Sequence, residues 1–227
     1  WLGVALGPGD RRGGIEYCAI EEPAALVWTA NMAALELHVP MSRSADLDHP
    51  TILVFDLDPG APATIVECCG VALALREILE AVGLEAWAKT SGSKGLQVYV
   101  PLGAAPGDDG VHTHAHASEF ALACGQLLMK QLPGKVVVTM KKADRPGKIF
   151  VDWSQNSHHK TTIGVYSLRA RAEPTVSTPV TWDEVASGAE GEPLRFTAPE
   201  VLERVSEHGD LFAPVAARTQ RLPGRQR

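Results

Sequence analysis

The sequence predicts an α+β fold, a sheet core flanked by helices, on three observations. Residues Ile52–Leu57 form a near-continuous apolar run of strand length that ends at Pro59-Gly60. Thr64-x-x-Glu67 is a capping box opening a stretch with the apolar period of a helix. Strand and helix candidates alternate irregularly along the whole chain, unlike the regular repeat of a parallel barrel.

Taken in order, the Gly/Pro-rich residues 7–14 read as a turn and Ile15–Ile20 as a short strand. Pro23 opens a helix expected to run through Leu37, with apolar positions Leu26, Val27, Ala30, Ala33, Ala34 and Leu37. A polar loop over 40–50 leads into the 52–57 strand. The capped helix carries Ile65, Cys69, Ala72, Leu73, Ile78, Leu79 and Val82 on one stripe, and Gly83 ends it. Leu84–Lys89 and Leu96–Val100 read as strands around the polar turn Ser91-Gly92-Ser93-Lys94-Gly95. Residues 103–117 read as a loop, and Ser118 as the cap of a helix reaching Leu132, where Pro133-Gly134 stops it. Val136–Met140 and Ile149–Trp153 are strands separated by the basic turn Lys141–Lys148. Two short helices follow with capping boxes of their own, Thr181-x-x-Glu184 and Thr197-x-x-Glu200, and the basic tail from Pro214 is expected to fray.

Composition narrows the function classes. The chain has 227 residues, 45% hydrophobic and 21% charged, enough to bury a sizeable core and unlike a disordered segment. No apolar run approaches the roughly 20 residues of a membrane helix, and the opening Trp1-Leu2-Gly3 lacks the basic and apolar regions of a signal peptide. Cys18, Cys68, Cys69 and Cys124 form no C-x-x-C pair, which argues against a zinc ribbon and for reduced thiols in a cytosolic protein. Net charge is −6, yet Lys135–Arg171 carries eight Lys/Arg against two Asp. A local basic stripe suits phosphate binding at one site, though a solvated basic face would look the same. Aromatic residues are only 6%, so no extended base-stacking platform is evident.

Three constellations carry chemistry. In Phe55-Asp56-Leu57-Asp58-Pro59 the two aspartates are two apart on a strand, so they share a face. Adjacent carboxylates repel unless a cation lies between them, and hard oxygen donors suit Mg²⁺ or Mn²⁺. Loop-capping aspartates before a proline turn would give the same short pattern. Lys89-Thr-Ser-Gly-Ser-Lys-Gly-Leu-Gln97 places two glycines, two serines and Lys94 in a tight turn, where successive N–H groups can form an anion nest. It is no Walker A loop, and an ordinary glycine hairpin is the plainer reading. In Lys148-Ile-Phe-Val-Asp152-Trp-Ser-Gln-Asn156, Asp152 interrupts an apolar strand, where a carboxylate is costly unless metal-bound or paired with Lys148 or Arg145. Together, three carboxylates beside a phosphate cradle and basic residues are what two-metal phosphoryl or nucleotidyl transfer requires. The alternating His112, His114 and His116 could ligate metal, but their Gly/Asp-rich setting favours a solvated loop.

The ordered set D-L-D-P, T-S-G-S-K-G-L-x-V-Y-V-P-L, V-D-W-S-Q-N and Y-S-L-R-A-R, with Ala33–Pro40 and Leu132–Val137, closely resembles the polymerase domain of bacterial DNA ligase D, in the archaeo-eukaryotic primase superfamily. The resemblance runs from Trp1 to about Phe212, which makes residues 1–212 the catalytic unit and 213–227 a basic tail. It implies a primase-like core with an RRM-like antiparallel sheet flanked by helices. It also implies template- and primer-directed nucleotide addition, often of ribonucleotides, at DNA ends or gaps in non-homologous end joining, in the bacterial cytoplasm at the nucleoid. Carried over by motif, Asp56, Asp58 and Asp152 would hold two Mn²⁺ or Mg²⁺ ions. Ser91, Lys94 and Arg169 would bind the incoming NTP or dNTP, and His38 would contact it too. A Ku partner and a ligase domain, attached or separate, are implied by the same likeness.

Two departures matter. Gln97 stands where the family motif carries His, and Gln has no cationic form; Gln97→His is expected to tighten nucleotide binding. The family domain also extends further N-terminally than Trp1, and that part is expected to supply one edge of the fold and the pocket for a downstream 5′-phosphate. Two other readings use the same residues: a metal-dependent nuclease, which would not need the Ser91/Lys94/Arg169 cradle, and a non-catalytic DNA-end-binding module, which would not need three costly carboxylates.

Overall fold

Alternation along one strand separates the core from the site. In Ile52–Pro59, Leu53, Phe55 and Leu57 are fully buried on one face, while Asp56 and Asp58 lie on the other. The computed structural model describes residues 1–7, 14–103 and 112–224. Parts of the expected 7–14 turn, of the 103–117 loop and of the tail fall outside these residues.

In chain order, β1 (Gly3–Gly7) and β2 (Ile15–Ala19) form a hairpin, α1 (Pro23–Asn31) follows, and β3 (His38–Pro40) leads to β4 (Ile52–Pro59). Then come α2 (Ile65–Ala81), β5 (Trp87–Thr90), β6 (Leu96–Pro101), α3 (His114–Gln131), β7 (Val136–Val137) and β8 (Ile149–Asp152). The rest is β9 (Thr161–Ile163), β10 (Leu168–Arg169), β11 (Thr175–Val176), β12 (Pro179–Val180), α4 (Trp182–Ala189), α5 (Ala198–His208) and α6 (Ala213–Ala217). The main sheet has the order β12-β5-β6-β4-β8-β7, antiparallel except for the β7–β8 pair. This is the α+β class the sequence predicts.

Helices α2 and α3 cover the apolar face. Cys69, Ala72, Leu75 and Leu79 of α2 and Ala121, Cys124 and Leu128 of α3 pack with Leu53, Phe55, Leu57, Val98 and Val151 in one cluster. Each large side chain among them contributes about 1.5–3 kcal/mol on leaving water. The capping box of α2 forms as expected, with Thr64 N–H donating to Glu67 at 2.7 Å, and Gly83 takes the left-handed φ of 77° after the helix. The boxes at Thr181 and Thr197 form as well. Among the described residues no helix is long and apolar enough to cross a membrane.

Several local expectations need correction. Helix α1 ends at Asn31 rather than Leu37, and its Leu26 and Val27 are exposed. Ala33 adopts φ 57°, and the backbone beyond it is claimed elsewhere: Leu37 accepts from Gly164 N–H at 2.8 Å, and β3 pairs with β9. Helix α3 starts at His114, where the Thr113 hydroxyl accepts from His116 N–H, so Ser118 is an interior residue and not the cap. The helical start also buries His112 and His114. The His114 ring lies within 3.0 Å of Ser42 Oγ and of the Leu47 and Asn156 carbonyls, tying the 40–50 loop to the 3₁₀ segment Trp153–Asn156 that follows β8 rather than standing in a solvated loop. Strand β7 is two residues long because the next carbonyl, of Val138, accepts from the Trp153 indole. Finally, the tail packs through Leu222: Val215 and Leu222 are buried, and the Gln220 amide bonds the Glu85 backbone at both ends.

Candidate active site

Strand register assembles the site. Lys89 on β5 lies opposite Gln97 on β6, Gln97 opposite Asp56 on β4, and Asp56 opposite Asp152 on β8. Directly opposed residues share a sheet face, so these four side chains form a row across the sheet, and Asp58 joins them two residues on from Asp56. Asp152 sits where β8 turns into a short 3₁₀ segment, and its Oδ1 accepts from Ser154 N–H at 3.1 Å and Ser154 Oγ at 2.6 Å. It is therefore held by its own turn rather than by the salt bridge to Lys148 or Arg145 that the sequence left open.

The electrostatics are those of crowded carboxylates. Burial, then the charge of Asp58, push the Asp56 carboxyl up to about 7 against the opposing hydrogen bond from Gln97. Desolvation and the charge of Asp152 raise Asp58 as well, while Arg145 and Lys94 counter them. On the same face, burial brings the Lys89 ammonium down to about 7, opposed by Asp56. Among the described residues no three His, Cys, Asp or Glu side chains already close into a metal-holding group. What exists is an all-oxygen donor set of three aspartates in register, two of which ionise with difficulty unless a cation is near. That chemistry fits a hard divalent ion.

The glycine turn packs onto this row. Gly95 comes so close to β4 that a Cβ there would lie 2.2 Å from Leu57 O. Gly92, at φ 65°, would place a Cβ 2.7 Å from Arg169 Cγ and 2.9 Å from Ser177 N. Absence of side chains thus lets the turn approach both β4 and the β10–β11 hairpin carrying Arg169. The expected anion nest is altered: the N–H groups of Ser93 and Gly95 both donate to Ser91 Oγ, which organises the turn internally. Lys94 is left exposed at its tip.

His38, Asp56, Asp58, Ser91, Lys94, Gln97 and Arg169 line a single cleft of about 220 Å³, so seven of the eight predicted residues share one cavity and Asp152 adjoins it across the strand pair. Gln97 stands at the back, buried, with its amide engaged by protein groups. Three residues that sequence reasoning passed over belong here. Gln155 and Thr162 line the cleft. Glu36 contacts His38 Nε2 at 3.1 Å and pairs with Arg169 Nε at 3.6 Å, and accepts from Ala170 N–H, the bond that most lowers its pKa. Gln155 and Glu36 lie inside the motifs quoted above, but neither has a spacing that marks it.

Comparisons with known proteins place the chain in a family and a fold. The model of the LigD primase-polymerase domain matches residues 4–212. The multifunctional non-homologous end joining protein LigD of Mycolicibacterium smegmatis is 44% identical over 209 residues, covering 91% of this chain and 26% of that protein. Its namesake from Pseudomonas aeruginosa is 34% identical over 230 residues, covering 99% and 26%. The chain thus spans about a quarter of the length of these relatives. The solved polymerase domain from Mycobacterium tuberculosis ligase D in complex with DNA matches at a TM-score of 0.85 and 39% identity, over 97% of this chain and 76% of that one, and so confirms the primase-like fold expected from the motifs. By matched span, identity and shared fold, the chain belongs to the LigD primase-polymerase domain family.

Proposed function

We propose that this chain is a template- and primer-directed nucleotidyltransferase that extends DNA ends or fills gaps during end joining. The observation that carries the reading is one cleft lined both by carboxylates, Asp56 and Asp58, and by groups able to bind an anion, His38, Ser91, Lys94 and Arg169. A nuclease would need the first set without the second.

Asp56, Asp58 and Asp152 would hold two Mn²⁺ or Mg²⁺ ions, relieving the repulsion that raises Asp56 and Asp58. When bound, such ions supply charge neutralisation and lower the pKa of an attacking hydroxyl. The protein's own part is positional. Lys94 and Arg169 bring two cations to the triphosphate, and the packed glycine turn fixes Lys94 relative to β4. Glu36 keeps His38 and Arg169 oriented. The exposed Lys141 and Lys142, in the turn before β8, would offer cations to DNA phosphates. The related solved domain is in complex with DNA, which supports duplex ends or gaps as the partner here. The relatives' printed names support a role in non-homologous end joining; a ligase activity and a Ku-type end-binding protein as partners belong to the proposal and follow from the motif resemblance.

Primer extension with Mn²⁺ and each NTP or dNTP, on a gapped duplex with a 5′-phosphate, tests the reading. Extension supports it, shortening of the primer indicates a nuclease, and binding without turnover indicates a non-catalytic module.

A further inference from the structure

Lys89 is fully buried beside the carboxylate row, yet it takes no part in the chemistry above. Its Nζ donates to Gln97 Oε1 at 2.6 Å and to Ser177 Oγ at 2.6 Å, and so meets neutral groups instead of a carboxylate. Burying an ammonium this way is expensive, so the arrangement calls for a role.

The hydrogen-bond directions supply one. Ser177 donates its own proton to Thr90 O at 2.8 Å, so it can only accept from Lys89. Gln97 Oε1 accepts from both Lys89 and Tyr99 OH, and Gln97 Nε2 donates to both Asp56 Oδ1 at 2.9 Å and Thr162 Oγ1 at 2.8 Å. All four hydrogen-bonding positions of the amide are filled. A flipped amide would set N–H against the Lys89 ammonium and oxygen against the Asp56 carboxylate. The amide also stands between Lys89 and Asp56, so the lysine does not consume the carboxylate in a direct ion pair.

Resting on the proposed function of this same site, we infer that Lys89 is a positioning residue for metal binding, acting through Gln97. It anchors the amide, and the amide fixes Asp56 through Oδ1, leaving the other carboxylate oxygen for a divalent ion. Partners behind a ligand orient it, and their loss typically costs about 10- to 100-fold in metal affinity or activity.

The test measures Mn²⁺ affinity of the 227-residue chain by electron paramagnetic resonance of free Mn²⁺, without DNA or nucleotide. Wild type, Lys89→Met, Gln97→Leu and the double variant are compared, with urea midpoints for each. Lys89→Met is expected to weaken Mn²⁺ binding about tenfold or more. If it acts through Gln97, the double variant binds no more weakly than Gln97→Leu alone. Wild-type affinity in Lys89→Met, or losses that add in the double variant, would overturn the inference. A wild type that binds no Mn²⁺ would overturn the metal-dependent function itself, which separates the two failures. Should Lys89→Met fail to fold, Mg²⁺ titration of the wild type by ¹⁵N–¹H spectroscopy decides: the Gln97 side-chain amide and Lys89 Nζ signals should shift with one midpoint, and unmoved signals refute the coupling.

Discussion

Replacing Asp152 with Asn is expected to stabilise the metal-free protein while abolishing its response to Mn²⁺. The substitution keeps an Oδ1 that can accept both Ser154 bonds, so it removes charge with little change of shape. The charge it removes presses on Asp56 and Asp58. Asp56 moves from 3.8 to about 7, a displacement worth about 4 kcal/mol if taken whole. Burial and Asp58 contribute more of it than Asp152 does, and water screens these partly exposed groups. The share released at Asp56 and Asp58 together is therefore about 0.5–1 kcal/mol. It should appear at about pH 8, where Asp56 is ionised, and shrink at about pH 5, where Asp56 holds its proton. Urea denaturation with EDTA reads the gain, the same titration with Mn²⁺ reads its reversal, and primer extension should fall by at least about 100-fold. An Asp152→Asn protein no more stable than wild type in EDTA at the higher pH, or one that Mn²⁺ stabilises equally, would refute the reasoning.

Three further outcomes follow from other parts of the structure. Because the folded-state pKa of Asp56 is raised, its contribution to stability is present below about 4 and lost as pH rises through about 7; urea midpoints in EDTA should show that loss, and Asp56→Asn should flatten it. Gly92→Ala adds a Cβ 2.7 Å from Arg169 Cγ at φ 65°, so it should cost about 1–3 kcal/mol in urea and raise nucleotide KM more than it lowers kcat. Phe55→Ala should empty the sheet–helix core and cost about 3–5 kcal/mol, measured by the same denaturation, with wild-type stability as the refuting result.

Much of the site was legible because its signals are local. Two-residue spacing alone puts Asp56 and Asp58 on one face, and a run of apolar neighbours makes a carboxylate at position 152 conspicuous. Capping boxes at Thr64, Thr181 and Thr197 complete themselves within four residues, so they survive any fold. Glu36 and Lys89 went unassigned because their roles depend on partners far along the chain, Arg169 and Ser177. The end of α1 was misplaced for a like reason: the helical period continues past Asn31, but β9 and its following turn take the backbone of Leu37–Pro40. His112, His114 and His116 carry no periodic mark of the helix start that buries the first two.

Sequence by itself determined which residues are candidates for chemistry: three aspartates and a glycine-rich turn with Lys94 by type and spacing, and the later Arg169 through the family resemblance. Their types and close spacing restrict what they can bind whatever the fold around them. Only the tertiary structure decided that Lys89, Gln97, Asp56 and Asp152 form one row. Strand register is set by backbone hydrogen bonds between distant segments and by which face meets the helices, and a slip of one residue would turn each of these side chains to the other face.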